Sequence, residues 1–182
     1  MADKPRLATL HLAGCFGCNM SFLDLDERLL QLFEHVDLDF SPFTDFPWFE
    51  RRIAIGLIEG GCSNEENLHV LQGLRKNCDV LVSVGACALN GNVPAMRNNL
   101  SVKECFDEAY INGPTVYNPR RILPSDRELP LLLDKVYPCH QVVKIDHFLP
   151  GCPPSADAIW QAVTSLLEGR PIDLPYPLLK YD

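Results

Sequence analysis

No apolar run in this sequence approaches the roughly 18 residues that a bilayer-spanning helix needs. Clustered basic charge is missing too: 16 Lys and Arg stand against 24 Asp and Glu, for a formal net charge of -8. Phosphate backbones are gripped by grouped Lys and Arg, so nucleic acid is excluded as a partner. The pairs Arg51-Arg52 and Arg120-Arg121 are isolated and read as solvated surface or interface. There is no G-x-G-x-x-G fingerprint for a dinucleotide, and no Ser- or Thr-rich loop after the first strand to cradle a flavin phosphate. The ferredoxin run C-x-x-C-x-x-C, internal repeats and low-complexity tracts are absent as well. Met1-Ala2-Asp3-Lys4-Pro5-Arg6 leads straight into a strand-like segment, with neither the apolar region of a secretion signal nor a twin-arginine leader. A soluble cytoplasmic protein is expected.

What is present is ordinary globular material. The 182 residues are 47% hydrophobic and 22% charged, enough for one domain with its own core spanning 1–182. Apolar runs at 6–12, 52–59, 79–84 and 142–149 read as the core strands of a parallel sheet, with a short edge strand near Val36. Helices are expected from Ser21 with Phe22, Leu25, Leu29, Leu32 and Phe33 inward, after an Asn64 cap to about Asn77, and after a Ser155 cap with Ile159 and Val163 inward. Residues 90–130 carry Pro94, Pro114, Pro119, Pro124 and Pro130 and read as an irregular insertion with two short helices. The tail, 170–182, reads as extended and packed on a neighbour. Strands alternating with helices imply an α/β fold of about four parallel strands with helices on both faces.

Eight cysteines are many for a chain of this kind. Reducing cytosol argues against disulfides, so metal ligation competes with plain buried thiols. In Leu149-Pro150-Gly151-Cys152-Pro153-Pro154-Ser155, two prolines stiffen the backbone behind Cys152. Cys15 and Cys18 are spaced C-x-x-C in a glycine-flanked loop, a spacing used by zinc, redox dithiols and iron–sulfur clusters alike. Cys87 follows Gly85-Ala86 at a strand end, and taken alone is better read as a buried thiol. Sites in parallel sheets form at the carboxyl ends of the strands, so Cys15, Cys18, Glu59, Cys62, Cys87 and Cys152 should meet at one rim. Cys78 and Cys105 read as packing residues, and Cys139 belongs at the opposite rim. A structural zinc site prefers a second close pair, which is lacking. Four thiols from three strand ends suit a 4Fe–4S cluster better. Glu59 is either a rim charge or a partner of the site; His11 and His140 read as hydrogen-bonded histidines, and Cys62 as a spare thiol, a regulatory ligand or, most readily, a residue with no role at the site.

Gly14-Cys15-Phe16-Gly17-Cys18-Asn19-Met20-Ser21, Glu59-Gly60, Gly85-Ala86-Cys87-Ala88 and Leu149-Pro150-Gly151-Cys152-Pro153-Pro154 occur together in order. In this the chain resembles the small subunit of NiFe hydrogenases, which shares its fold with the 20 kDa iron–sulfur subunit of respiratory complex I. The resemblance implies a flavodoxin-like fold and a proximal 4Fe–4S cluster on Cys15, Cys18, Cys87 and Cys152. It places the Ni–Fe centre on a separate large subunit. The chain's length, the lack of further cysteine runs and the absence of a leader are similar to the cytoplasmic, bidirectional, NAD-reducing type. There a diaphorase module carries FMN, further clusters and the NAD site. The complex I relative typically has adjacent cysteines in its first motif, whereas Cys15 and Cys18 are two residues apart. A small subunit coupled to another carrier is the other alternative. Glu59 is expected beside the cluster or at the partner interface, coupling protons to the redox step.

Overall fold

The computed structural model describes residues 4–45, 48–49 and 51–179. Five parallel strands form the main sheet: β1 (Arg6–His11), β2 (Asp37–Leu38), β3 (Ile53–Glu59), β5 (Cys78–Val84) and β7 (His147–Leu149), in the order β2-β1-β3-β5-β7. Counting only these strands, the order is the 2-1-3-4-5 of doubly wound flavodoxin-like sheets, whose direction of winding reverses between the first and third strands. Alternation along each strand sends side chains to two cores. Leu7, Ile55, Leu57 and Val82 face helices α1 (Gly17–Leu23), α2 (Arg28–His35) and α6 (Ala156–Leu167). Ala8, Leu10, Ile53, Ile58 and Leu81 face helix α3 (Glu65–Asn77) through Leu71 and Leu74, and helix α4 (Gly85–Asn90) through Ala88.

Both expected caps form. The Asn64 side chain accepts from the Asn67 N–H at 2.8 Å, and Ser155 Oγ accepts from the Ala158 N–H at 3.2 Å. Each satisfies a donor that a helix start leaves without an internal partner.

Several expectations change. The single helix from Ser21 is two. α1 begins earlier, at Gly17, and ends at Leu23; the chain then turns through Asp26 at φ 51 before α2. The apolar periodicity continued across the break because both helices bury their stripes in the same core. The 142–149 strand is cut to His147–Leu149, since a 3-10 turn, Cys139–Gln141, and an irregular stretch precede it. The region before that turn holds an unforeseen strand, β6 (Leu132–Tyr137), paired antiparallel with β4 (Cys62–Asn64) in a separate two-stranded ribbon. Its mostly exposed side chains carry no clear period. The insertion contains a 3-10 helix, Pro94–Asn99, and α5 (Val102–Asp107) running into one π turn, Glu108–Asn112, close to the two short helices expected. Ile172, Leu174 and Leu178 of the tail pack on the chain's own core. No helix among the described residues is long and apolar enough to cross a membrane.

Candidate metal centre

The carboxyl ends of β1, β3, β5 and β7 form one rim, and the loops that leave it are stitched together by backbone. Leu12 N–H donates to Glu59 O at 2.9 Å, Ala13 and Gly61 exchange two hydrogen bonds, and Ala86 N–H donates to Gly151 O at 2.8 Å. Ser21 Oγ donates to Pro154 O at 2.5 Å, fastening α1 to the Cys152 turn. These bonds bring together segments far apart in sequence.

Four thiols converge here. Cys18 lies on the first turn of α1, and its sulfur is 2.3 Å from where a Cβ on Gly85 would stand. Gly85 has φ +79, so the position both needs a residue that tolerates the left-handed region and has no room for a side chain,. Asn92 Nδ2 is 3.4 Å from Cys152 Sγ and 3.9 Å from Cys87 Sγ, so one amide spans two of the sulfurs. Gly17 N–H donates to Cys15 Sγ at 3.4 Å. Burial pushes the Cys18 thiol well up, and the Glu59 carboxylate and the Cys87 and Cys15 sulfurs push it further. Burial likewise raises Cys87, against the Asn92 hydrogen bond, and the Cys152 and Cys15 sulfurs add to it. Cys18 and Cys87 thus feel the neighbouring sulfurs electrostatically. Bringing four thiolates together at such a spot requires compensating positive charge, which a bound cation or iron–sulfur group supplies.

The donor set fits a soft, thiolate-ligated group. No group of three or more His, Cys, Asp or Glu among the described residues is drawn tightly enough to hold a single metal ion.

Glu59 lies at the floor of this arrangement, 4% exposed. Its Oε2 accepts the Asn19 N–H at 3.0 Å, and its Oε1 is 2.5 Å from His11 Nδ1. The Asn19 N–H is one of the free donors at the start of α1, so Glu59 caps from another strand the helix that carries Cys18. Burial pushes the Glu59 carboxyl up, but the hydrogen bonds from His11 and Asn19 outweigh it and hold the group below its usual range. The turn before α1 is strained: Phe16 sits at φ 69, uncommon for a bulky residue. Its ring is held edge-on between His11, at 5.0 Å, and Phe43, at 5.6 Å.

The other candidates fall elsewhere. Cys78 is buried beneath Gly56, where burial raises its thiol to about 11, and its S–H donates to Val80 O. Cys105 lies on α5. Cys62 is fully buried, beside Cys139. Cys139 corrects the expectation of the opposite rim: its sulfur is 3.3 Å from Gly60 O, just past the carboxyl end of β3. The 142–149 run is not one strand, so Cys139 does not mark a strand's amino end. His140 stands exposed, edge-on to Phe148. Asn92 and Ser21 were missed as site residues. The Asn90-Gly91-Asn92 turn is the signal for Asn92: Gly91 ends α4 at φ 87, and Asn92 follows at φ 37, a region Asn tolerates,.

Comparison with known proteins shows the family of the chain. The family described as NADH ubiquinone oxidoreductase, 20 Kd subunit, matches residues 15–166. The delta subunit of the NAD-reducing hydrogenase HoxS of Cupriavidus necator is 51% identical over 180 residues, covering 98% of this chain and 86% of the relative. A subunit of the F420-non-reducing hydrogenase from Methanothermobacter marburgensis is 37% identical over 96% of this chain, but the match spans only 57% of that longer protein. A solved NAD+-reducing NiFe hydrogenase in the H2-reduced state contains a chain that superposes with a TM-score of 0.94 at 49% identity, covering 98% of this chain and 99% of that one. A NiFeSe hydrogenase from Desulfovibrio vulgaris Hildenborough shares the fold alone, with a TM-score of 0.53 at 16% identity. The chain belongs to the family of the NADH ubiquinone oxidoreductase 20 Kd subunit and, within it, groups with the delta subunit of NAD-reducing hydrogenase.

Proposed function

We propose that this chain is the electron-transfer small subunit of an NAD-linked NiFe hydrogenase catalysing H2 + NAD+ = H+ + NADH. The observation that carries the reading is the gathering of four thiols from three strand ends around Gly85, in a chain 51% identical to an NAD-reducing hydrogenase subunit. On this reading the whole chain is one iron–sulfur-binding domain. Cys15, Cys18, Cys87 and Cys152 hold one 4Fe–4S cluster, which when bound takes up and releases a single electron at a time.

The chain's own residues do the positioning and tuning. Gly85 leaves the space that Cys18 occupies. Glu59 keeps α1 and its thiol in place. The Gly17 amide and the Asn92 side chain donate to sulfur, and such donors favour added negative charge, raising a cluster's potential. The Gly17 amide reaches a sulfur, whereas the Ala86 amide beside Gly85 is spent on Gly151 O.

The Ni–Fe centre belongs to a large subunit, and FMN and the NAD site to diaphorase subunits, in a cytoplasmic heterotetramer. Met20 stands exposed on α1 beside Cys18, Phe148 on β7 ahead of the Cys152 turn, and Val93 and Met96 just past the helix that carries Cys87. Apolar side chains at this edge support docking of the large subunit there. The C-x-x-C spacing of Cys15 and Cys18 favours this reading over a quinone-linked complex I subunit.

The test is replacement by Ser of Cys15, Cys18, Cys87 or Cys152 in the purified complex. Each is expected to abolish H2-dependent NAD reduction and to spare NADH-driven dye reduction by the diaphorase. Cys105→Ser is expected to spare both. A Cys87→Ser complex that kept a full 4Fe–4S signal would overturn the ligand set.

A further inference from the structure

Two cysteines outside the metal centre form a pair of their own. Cys62 opens β4, and Cys139 opens the 3-10 turn that follows β6. The ladder partner of Cys62 is Tyr137, so Cys139 lies two residues along from the point where the strands pair. Both side chains are 0% exposed. The Cys139 thiol donates to the Gly60 carbonyl at 3.3 Å, and across the ribbon it is the diagonal neighbour of Cys62, near enough for the two sulfurs to act on each other electrostatically.

The pair is placed where it bears on the metal centre without belonging to it. The adjoining Gly61 backs directly onto helix α4: a Cβ on it would stand 3.5 Å from Cys87 O and 2.8 Å from Val136 Cγ1. The chain between the two cysteines contains Cys87 and the whole 90–130 insertion.

We propose that Cys62 and Cys139 are a redox-sensitive pair that closes to a disulfide when the protein meets peroxide. The two thiols are not equivalent. The hydrogen bond from Cys139 holds Cys62 below the ordinary thiol range against the effect of burial, and the same bond together with burial raises Cys139. The Cys139 S–H is also engaged by the Gly60 carbonyl at 3.3 Å, which keeps its proton on sulfur, so Cys62 is the attacking sulfur,. Its thiolate attacks hydrogen peroxide, the O–O bond breaks, and with one proton taken up Cys62 becomes a sulfenic acid and one water leaves. The Cys139 sulfur then displaces the sulfenic oxygen, which departs with the Cys139 proton as a second water. Two thiols lose two electrons, and one peroxide becomes two waters.

Peroxide enters by opening of the β4–β6 ribbon. The ribbon is two-stranded, β4 has three residues, and the ladder is irregular between Cys62 and Asn64. An isolated two-stranded ribbon is marginal alone and opens ahead of the main sheet. Once closed, the bond ties the turn after β3 to the segment leading into β7, behind Cys87.

The experiment treats the purified complex with graded hydrogen peroxide, blocks free thiols by alkylation after denaturation, and maps unreduced peptides by mass spectrometry. Iron content is measured in parallel. Linked Cys62 and Cys139 peptides are expected while iron is retained, and dithiothreitol is expected to free both. In Cys139→Ser, dimedone is expected to trap Cys62 as its sulfenic acid; in Cys62→Ser, Cys139 stays unmodified. The proposal is overturned if both cysteines remain alkylatable at a peroxide level that already oxidises Cys105. It is equally overturned if Cys62 proceeds to sulfinic acid with Cys139 free. The wild-type map decides even where a variant does not fold, and it is independent of whether the complex turns over H2.

Discussion

Replacing Gly85 with Ala separates the geometry of the metal centre from general stability. The added Cβ would stand 2.3 Å from Cys18 Sγ, so the sulfur must move away from its three partners. The new residue must also hold φ near +79, which costs an L-residue about 1–2 kcal/mol,. Gly169 supplies the control: its φ is +67 and nothing lies within 4 Å of its would-be Cβ. Gly169→Ala therefore carries the backbone cost alone. At about 2–4 °C per kcal/mol for a chain of this size, both variants are expected to melt several degrees lower. Only Gly85→Ala is expected to lose iron and acid-labile sulfide. The assay is iron and sulfide per chain, with thermal melting of the same preparations. A Gly85→Ala protein with full iron, or equal iron loss in Gly169→Ala, would refute the claim that this glycine makes the space for the Cys18 sulfur.

Glu59→Ala leaves the buried Asn19 N–H without its acceptor and is expected to cost about 1–3 kcal/mol with loss of iron,. Glu59→Gln retains an acceptor and should restore the iron; a Gln variant as depleted as the Ala variant would argue against the positioning role, and the pH profile of its H2-driven turnover tests the expected proton coupling. Asp146 is held below the usual carboxylate range: burial pushes it up, but hydrogen bonds from Arg75 and the Leu81 N–H prevail. Its folded value lies beneath its unfolded one, so its contribution is whole above about pH 4 and lost as acid titrates the folded group. Asp146→Asn is expected to lower stability at neutral pH and flatten the acid limb of a pH–denaturation series; parallel wild-type and variant curves would contradict this. Ser155→Ala removes the cap of α6 and is expected to cost about 1 kcal/mol,, read as a lower denaturant midpoint with an unchanged slope.

Local signals in the chain carried much of this. Runs such as Ile53–Glu59 and Cys78–Val84 are apolar on both faces because each strand is covered on both sides, so they stand out in one dimension. Caps are equally local: Asn64 and Ser155 act on donors three residues away. β6 could not be read in this way. Its pairing with β4 crosses a long stretch of sequence, and its side chains are mostly exposed, so neither composition nor period marks it. Cys139 was misplaced for the same reason.

The sequence alone determined which segments become buried strands, where the capped helices begin, and that thiols follow strand ends, since each depends on hydrophobic period or on neighbours a few residues apart. Only the tertiary structure decided that Glu59 caps α1 from β3, that Asn92 spans Cys87 and Cys152, and that Cys62 meets Cys139. These contacts join residues brought together by strand order and by the approach of a separate ribbon. No local pattern encodes them, because they form only after the sheet has closed the distance.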